Sequence, residues 1–228
     1  IKGKLAQDSY GDRPEWVSFD SIPADVYHAV MAIEDREFFN HWGMNVWAIP
    51  SAILESVTSG KKMRGASTLT QQLTKLLFLT PERSISRKIK EAMTAIRIEQ
   101  TYTKEEILEF YMNEVYLSGG NYGFQAAGRF YFGRPLDSLT IPEIAVLAGM
   151  LQRPEAYRPD RKPEASLERR NTVLYAMYDA GFITKDQYRE FIKTPITLAE
   201  KEEDQGAGLY FYEEIRKYME KKYGENSL

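Results

Sequence analysis

At 228 residues, 43% of them hydrophobic and 13% aromatic, the chain has enough apolar side chains to build a sizeable core, as one large domain or two lobes. A formal charge of −3 and a pI near 5.6 argue against nucleic acid as partner, because phosphate-backbone binding needs a basic excess. The absence of cysteine excludes disulfides, thiolate metal sites and a cysteine nucleophile, and two histidines without Asp or Glu at ligand spacing argue against a zinc enzyme.

The opening, residues 1–22, holds Gly3, Gly11 and Pro14 without helical periodicity and reads as extended or hairpin structure leading into the domain. No apolar run approaches the roughly 20 residues of a membrane span and no signal peptide is visible. Ile1 is not an initiator Met, so the chain reads as a fragment and an upstream anchor stays open. Pro23 suits a first helical turn, and Val26, Val30 and Ile33 continue it as an apolar stripe. Glu34 falls about 80° round that helix from Val26, at the margin of the stripe, and is expected to be partly exposed.

Four later helix starts carry a Thr followed three residues on by Glu or Gln: Thr68 with Gln71, Thr103 with Glu106, Thr140 with Glu143, and Thr184 with Gln187. Four such capping boxes predict a mostly α-helical chain. Gly119 to Gly123 marks a turn, Arg153 to Pro163 an irregular connection, and Gly181 a helix end. Residues 23–198 read as the main domain; 199–228 read as a polar linker followed by an amphipathic helix, Leu209 to Tyr223.

Charge is unevenly spread. Residues 61–97 hold nine Lys or Arg against Glu82 and Glu91, a balance of +7, which leaves −10 for the remainder. Such an island suits either a local anionic ligand or a solvated basic face. Three constellations have chemical potential. Glu34, at an apolar margin, suits general acid or base work because desolvation disfavours its charged form, although a Glu near a helix end is also commonly structural; His41 beside it reads first as a structural histidine. Arg64-Gly65-Ala66-Ser67-Thr68 opens a helix whose free N–H groups favour an anion, with Lys75 one turn beyond Gln71 and the stripe Leu69, Leu73, Leu76 and Leu77 read as core. Arg87-Lys88-Ile89-Lys90-Glu91 places a carboxylate among cations, as a pyrophosphate grip or as a surface Arg87–Glu91 pair. Trp42 to Met63, aromatic and aliphatic before Lys61 and Lys62, suits either a membrane interface or the core.

Together these stretches resemble the family 51 peptidoglycan glycosyltransferases, the polymerase module of class A penicillin-binding proteins and of monofunctional transglycosylases. Glu34 to Gly43 resembles the first family motif, Gly65 to Lys75 the second, Arg87 to Glu91 the third, Lys104 to Asn113 the fourth (with Met112 where Leu is usual) and Arg169 to Leu174 the fifth. The resemblance implies a mostly helical, two-lobed fold with a lysozyme-like larger lobe and a smaller membrane-proximal jaw. It implies that lipid II is polymerised into β-1,4-linked glycan with inversion and release of undecaprenyl pyrophosphate. Glu34 would be the general base, and Glu91, with Arg87 and Lys88, would steady the departing pyrophosphate. Asp35, Ser67, Gln71, Gln72, Lys75 and Arg83 would be further substrate or pyrophosphate contacts. No cofactor is implied as obligatory, although a divalent Mg or Mn at Glu91 is compatible. The partners implied are lipid II, the growing lipid-linked glycan, the membrane surface, a moenomycin-type phosphoglycolipid inhibitor and a fused transpeptidase domain. The location implied is the outer face of the bacterial inner membrane. A lysozyme-like hydrolase is the nearest rival, weakened by the basic island because neutral glycan has no pyrophosphate to hold. A silent lipid-binding module is the rival of another class.

Overall fold

In a computed structural model of the chain, residues 16–45, 67–78 and 85–200 are described. Among them are eight α-helices: α1 (Ala24–Glu34), α2 (Leu69–Phe78), α3 (Ile85–Thr101), α4 (Lys104–Glu114), α5 (Phe124–Phe132), α6 (Ile141–Met150), α7 (Pro163–Asp179) and α8 (Lys185–Phe191). The only β pairing among the described residues is an isolated antiparallel bridge between Tyr116 and Tyr122. The mostly α class expected from the capping boxes is therefore observed. Two compact units divide at Leu198 and Ala199; everything described below lies in the first, and the expected helix at Leu209 to Tyr223 lies outside the described residues.

Local chemistry sets the helix boundaries. The Thr103, Thr140 and Thr184 boxes close, with Glu106, Glu143 and Gln187 each accepting from the backbone N–H of its Thr. At the end of α7, Gly181 takes φ +78°, its N–H donates to Tyr178 O, and Phe182 N–H donates to Met177 O. This pair of bonds is a Schellman cap, which satisfies carbonyls that the helix leaves open. Pro23 is the residue preceding α1 and does not occupy its first turn.

Packing is organised around α6. Eight of its ten residues, from Pro142 to Met150, are buried, as expected of a helix apolar on all sides. It packs against α1 and α7, and α1 in turn against α7. A second group forms where α2 packs on α3 and α4, and α5 contacts both α4 and α6. The expected apolar stripe of α2 is core only in part: Leu69 and Leu73 are buried, but Leu76 is exposed, as is Phe78. The buried side of α2 is completed by Thr70 and Thr74, whose hydroxyls donate to Glu99 Oε1 at 2.5 Å and Thr70 O at 2.8 Å. A polar but fully bonded seam thus replaces part of an apolar one.

The described end of the N-terminal segment departs from the extended expectation. Phe19–Ser21 forms a 3₁₀ turn, closed by Ser21 N–H to Ser18 O and Ile22 N–H to Phe19 O. It is held by the fourth motif. Glu109 accepts from Trp16 Nε1 at 2.9 Å and from Phe19 N–H at 2.8 Å. Asn113 accepts from Val17 N–H at 2.9 Å and donates to Val17 O at 2.8 Å and Glu109 O at 2.7 Å. Asn113→Ala leaves Val17 without either partner. It is expected to cost about 2 kcal/mol and lower the Tm by about 6 °C, read by scanning calorimetry.

Candidate active site

Glu34 is the last residue of α1, and its side chain is 16% exposed. Two groups approach it from helices distant in sequence. Gln72, on α2, donates from Nε2 to Glu34 Oε2 at 3.0 Å. Arg169, on α7, brings its guanidinium to 3.9 Å from Oε1. Burial raises the Glu34 pKa above the ordinary glutamate value; the Gln72 hydrogen bond and the Arg169 charge oppose the shift, and neighbouring Asp35 adds to it. The carboxyl is thus poised to exchange a proton while its ionised form still has two stabilising contacts. Behind Gln72, Tyr111 of α4 donates its hydroxyl to Gln72 Oε1 at 3.0 Å.

Arg169 reaches Glu34 because α6 lets it pass. A Cβ on Gly149 would lie 3.0 Å from Arg169 Cγ, and Gly149 O accepts from Arg169 Nε at 3.2 Å. A glycine here allows the close approach that aims the guanidinium. Arg169 falls inside the fifth motif, where nothing in the sequence assigns it a role. Arg170, beside it, is fully buried and braces the segment after α8 through Ile192 O and Thr194 O.

Asp35 and Gln71, expected among the substrate contacts, both make hydrogen bonds within the frame. Asp35 is buried, and its Oδ2 accepts from Leu69 N–H, at the start of α2, at 2.9 Å. The same oxygen lies 2.8 Å from His41 Nε2. His41 Nδ1 accepts from Gly43 N–H at 3.1 Å, so Nε2 carries the proton that faces Asp35. Gln71 Oε1 accepts from Thr68 N–H at 3.0 Å and Thr68 Oγ1 from Gln71 N–H at 3.2 Å, closing the remaining capping box. Thr68 Oγ1 also donates to Gly43 O at 2.8 Å. Gly43 has φ +97°, and a Cβ there would meet Ala95 O and Glu99 Cγ at 3.0 Å each. The first motif is thereby bolted to the second, which fixes the position of Gln72 on α2.

The third motif meets the residues before α2 at Ser67. Glu91 of α3 is buried and pairs with Lys88, and Lys88 Nζ also donates to Ser67 Oγ at 3.0 Å. The cation seen on Glu91 is thus Lys88, at i−3. Lys88 is half exposed and Lys75 is exposed, so both ammonium groups are open to an anion. Arg87 is partly buried. Arg83, Gly65 and most of Trp42 to Met63 lie outside the described residues. Among the described residues no three His, Asp or Glu converge, and the Glu91 carboxylate is already paired. The described side chains therefore offer a divalent cation no cage of their own.

Asp35→Ala removes the acceptor of a helix-start N–H and of a buried histidine. It is expected to destabilise the fold by about 3 kcal/mol in urea unfolding, whereas Lys75→Ala should stay within about 0.5 kcal/mol.

The Transglycosylase family profile matches residues 2–178. The chain is 44% identical over 224 residues to penicillin-binding protein 1A of Aquifex aeolicus, covering 98% of this chain and 31% of that protein. It is 46% identical to penicillin-binding protein 1A of Streptococcus oralis over 85% of this chain and 31% of the relative. Against that of Escherichia coli the identity is 41%, over 92% and 25%. The chain thus spans under a third of the length of these relatives. A crystal structure of penicillin-binding protein 1A from Haemophilus influenzae aligns with 69% of this chain and 20% of that one, at TM-score 0.46 and 31% identity. On the profile match and these identities, the chain belongs to the transglycosylase family, the peptidoglycan glycosyltransferases that its five motifs resemble.

Proposed function

We propose that this chain polymerises lipid II, joining the 4-hydroxyl of one disaccharide to the anomeric carbon of a lipid-linked chain with inversion and release of the lipid pyrophosphate. The observation that carries this reading is the Glu34 carboxylate: largely shielded from water, pushed up in pKa by burial, yet held for ionisation by Gln72 and Arg169. That combination suits a general base, which must be deprotonated at rest and able to accept a proton from a sugar hydroxyl. The bond from acceptor oxygen to anomeric carbon forms as the carbon–pyrophosphate bond breaks, and the hydroxyl proton passes to Glu34.

Leaving-group charge needs cations, and Lys88 and Lys75 supply exposed ones, with Arg87 next to Lys88 in the third motif. Ser67 adds a hydroxyl bonded to Lys88, and Gln72 completes the set on the Glu34 side. A Mg or Mn ion, if used, would arrive with the pyrophosphate, since the described side chains offer it no cage. The same cationic site suits a moenomycin-type phosphoglycolipid, whose phosphate and sugars mimic the growing chain. In the parent protein a transpeptidase domain and a membrane anchor would place the reaction at the outer face of the inner membrane; among the described residues no helix is long and apolar enough to cross a membrane.

Glu34→Gln keeps shape and removes the base. Polymerisation is expected to fall by about 10²–10⁴-fold while phosphoglycolipid binding is kept; a variant within about ten-fold of the parent would remove Glu34 from the base role. Because the base must be ionised, the rate should fall as pH drops through the raised Glu34 pKa. The acid limb of a pH–rate profile should therefore lie above the ordinary glutamate value near 4.5.

A further inference from the structure

An amide can meet a carboxylate with either end. Its N–H stabilises the ionised form, whereas its C=O repels it, and the two ends are nearly equal in size. Gln72 presents its N–H to Glu34, and the group that selects this orientation is on neither α1 nor α2. Tyr111 lies on α4, 1% exposed, with its hydroxyl 3.0 Å from Gln72 Oε1. An amide oxygen only accepts, so the tyrosine donates, and the amide nitrogen is left facing Glu34 Oε2. Burial, and then the Glu34 charge, raise the Tyr111 pKa well above that of a free phenol, so the hydroxyl keeps its proton wherever Glu34 titrates. The backbone of α2 is fixed independently, by Asp35 at its first N–H and by the Thr68–Gln71 box, so the amide rotation is what remains to be set.

We infer that Tyr111 is a positioning residue: by holding Gln72 Oε1 it keeps an N–H on Glu34 and so sets the protonation poise of that carboxylate. Its importance for turnover rests on Glu34 being the base, as proposed above. The other groups facing Glu34 are Arg169 from α7, which favours ionisation, and Asp35, next in the chain and itself bonded to His41, which disfavours it. Neither touches the Tyr111 hydroxyl, so Tyr111→Phe isolates the amide. The proton in the reaction moves between substrate and Glu34; Tyr111 transfers none.

The test is a carbon-13 titration of the Glu34 side-chain carboxyl in the 228-residue chain, assigned by its loss in Glu34→Gln, together with a pH–rate profile on lipid II. Tyr111→Phe should raise the Glu34 pKa by about one unit, since freeing the amide weakens one charge-assisted hydrogen bond, and should move the acid limb of the rate upward by the same amount. Gln72→Leu should reproduce the shift, and Tyr111→Phe added to Gln72→Leu should shift it no further. An unchanged Glu34 pKa in a folded Tyr111→Phe chain overturns the inference. So does a difference between the double variant and Gln72→Leu, a comparison that stands even if Tyr111→Phe alone does not fold. A carboxyl pKa that moves while the rate profile stays in place upholds the hold of Tyr111 on Glu34 and overturns Glu34 as the base.

Discussion

One buried oxygen, Asp35 Oδ2, accepts both the first N–H of α2 and the Nε2–H of His41. A carboxylate at a helix N-terminus is favoured by the helix dipole and by the open N–H groups there. Here it also reaches across 34 positions of sequence and joins two motifs into one rigid piece. The contacts that follow depend on that join. His41 holds Gly43, Gly43 holds Thr68, Thr68 caps with Gln71, and Gln72 comes next on the helix, aimed at Glu34. Glu34 and Asp35 are thus adjacent carboxyl residues in different settings, Asp35 bonded into the frame and Glu34 met by Gln72 and Arg169.

Burying the Glu34 carboxyl has a cost. Its folded pKa is raised, so the folded chain holds that proton more tightly than the unfolded chain does. Stability associated with this group is therefore greatest at low pH and declines as pH rises through the raised value. Gln72 and Arg169 limit that loss, and each is itself supported, Gln72 by Tyr111 and Arg169 by the Gly149 carbonyl.

What was legible in the sequence was local. The four Thr boxes name the residues before α2, α4, α6 and α8, and Gly181 ends α7, because each depends on groups within a few residues. The margin position of Glu34 was likewise readable from helical period alone. What was not legible was distant. Gln72, Tyr111 and Arg169 meet around Glu34 from three helices, and no spacing rule relates them. Nor does a motif tell that the polar groups of Asp35 and Gln71 bond at a helix start, as both do here. The stripe through Leu76 misled for a related reason: period gives a face, but not how far along a helix its neighbours continue to cover it.

The most direct measurement of the central claim is to incubate the purified chain with labelled lipid II in detergent and resolve the products by size. Long, muramidase-sensitive glycan accompanied by release of undecaprenyl pyrophosphate is the expected result. A folded chain that binds lipid II yet yields no polymer, or that shortens preformed glycan instead, would contradict it.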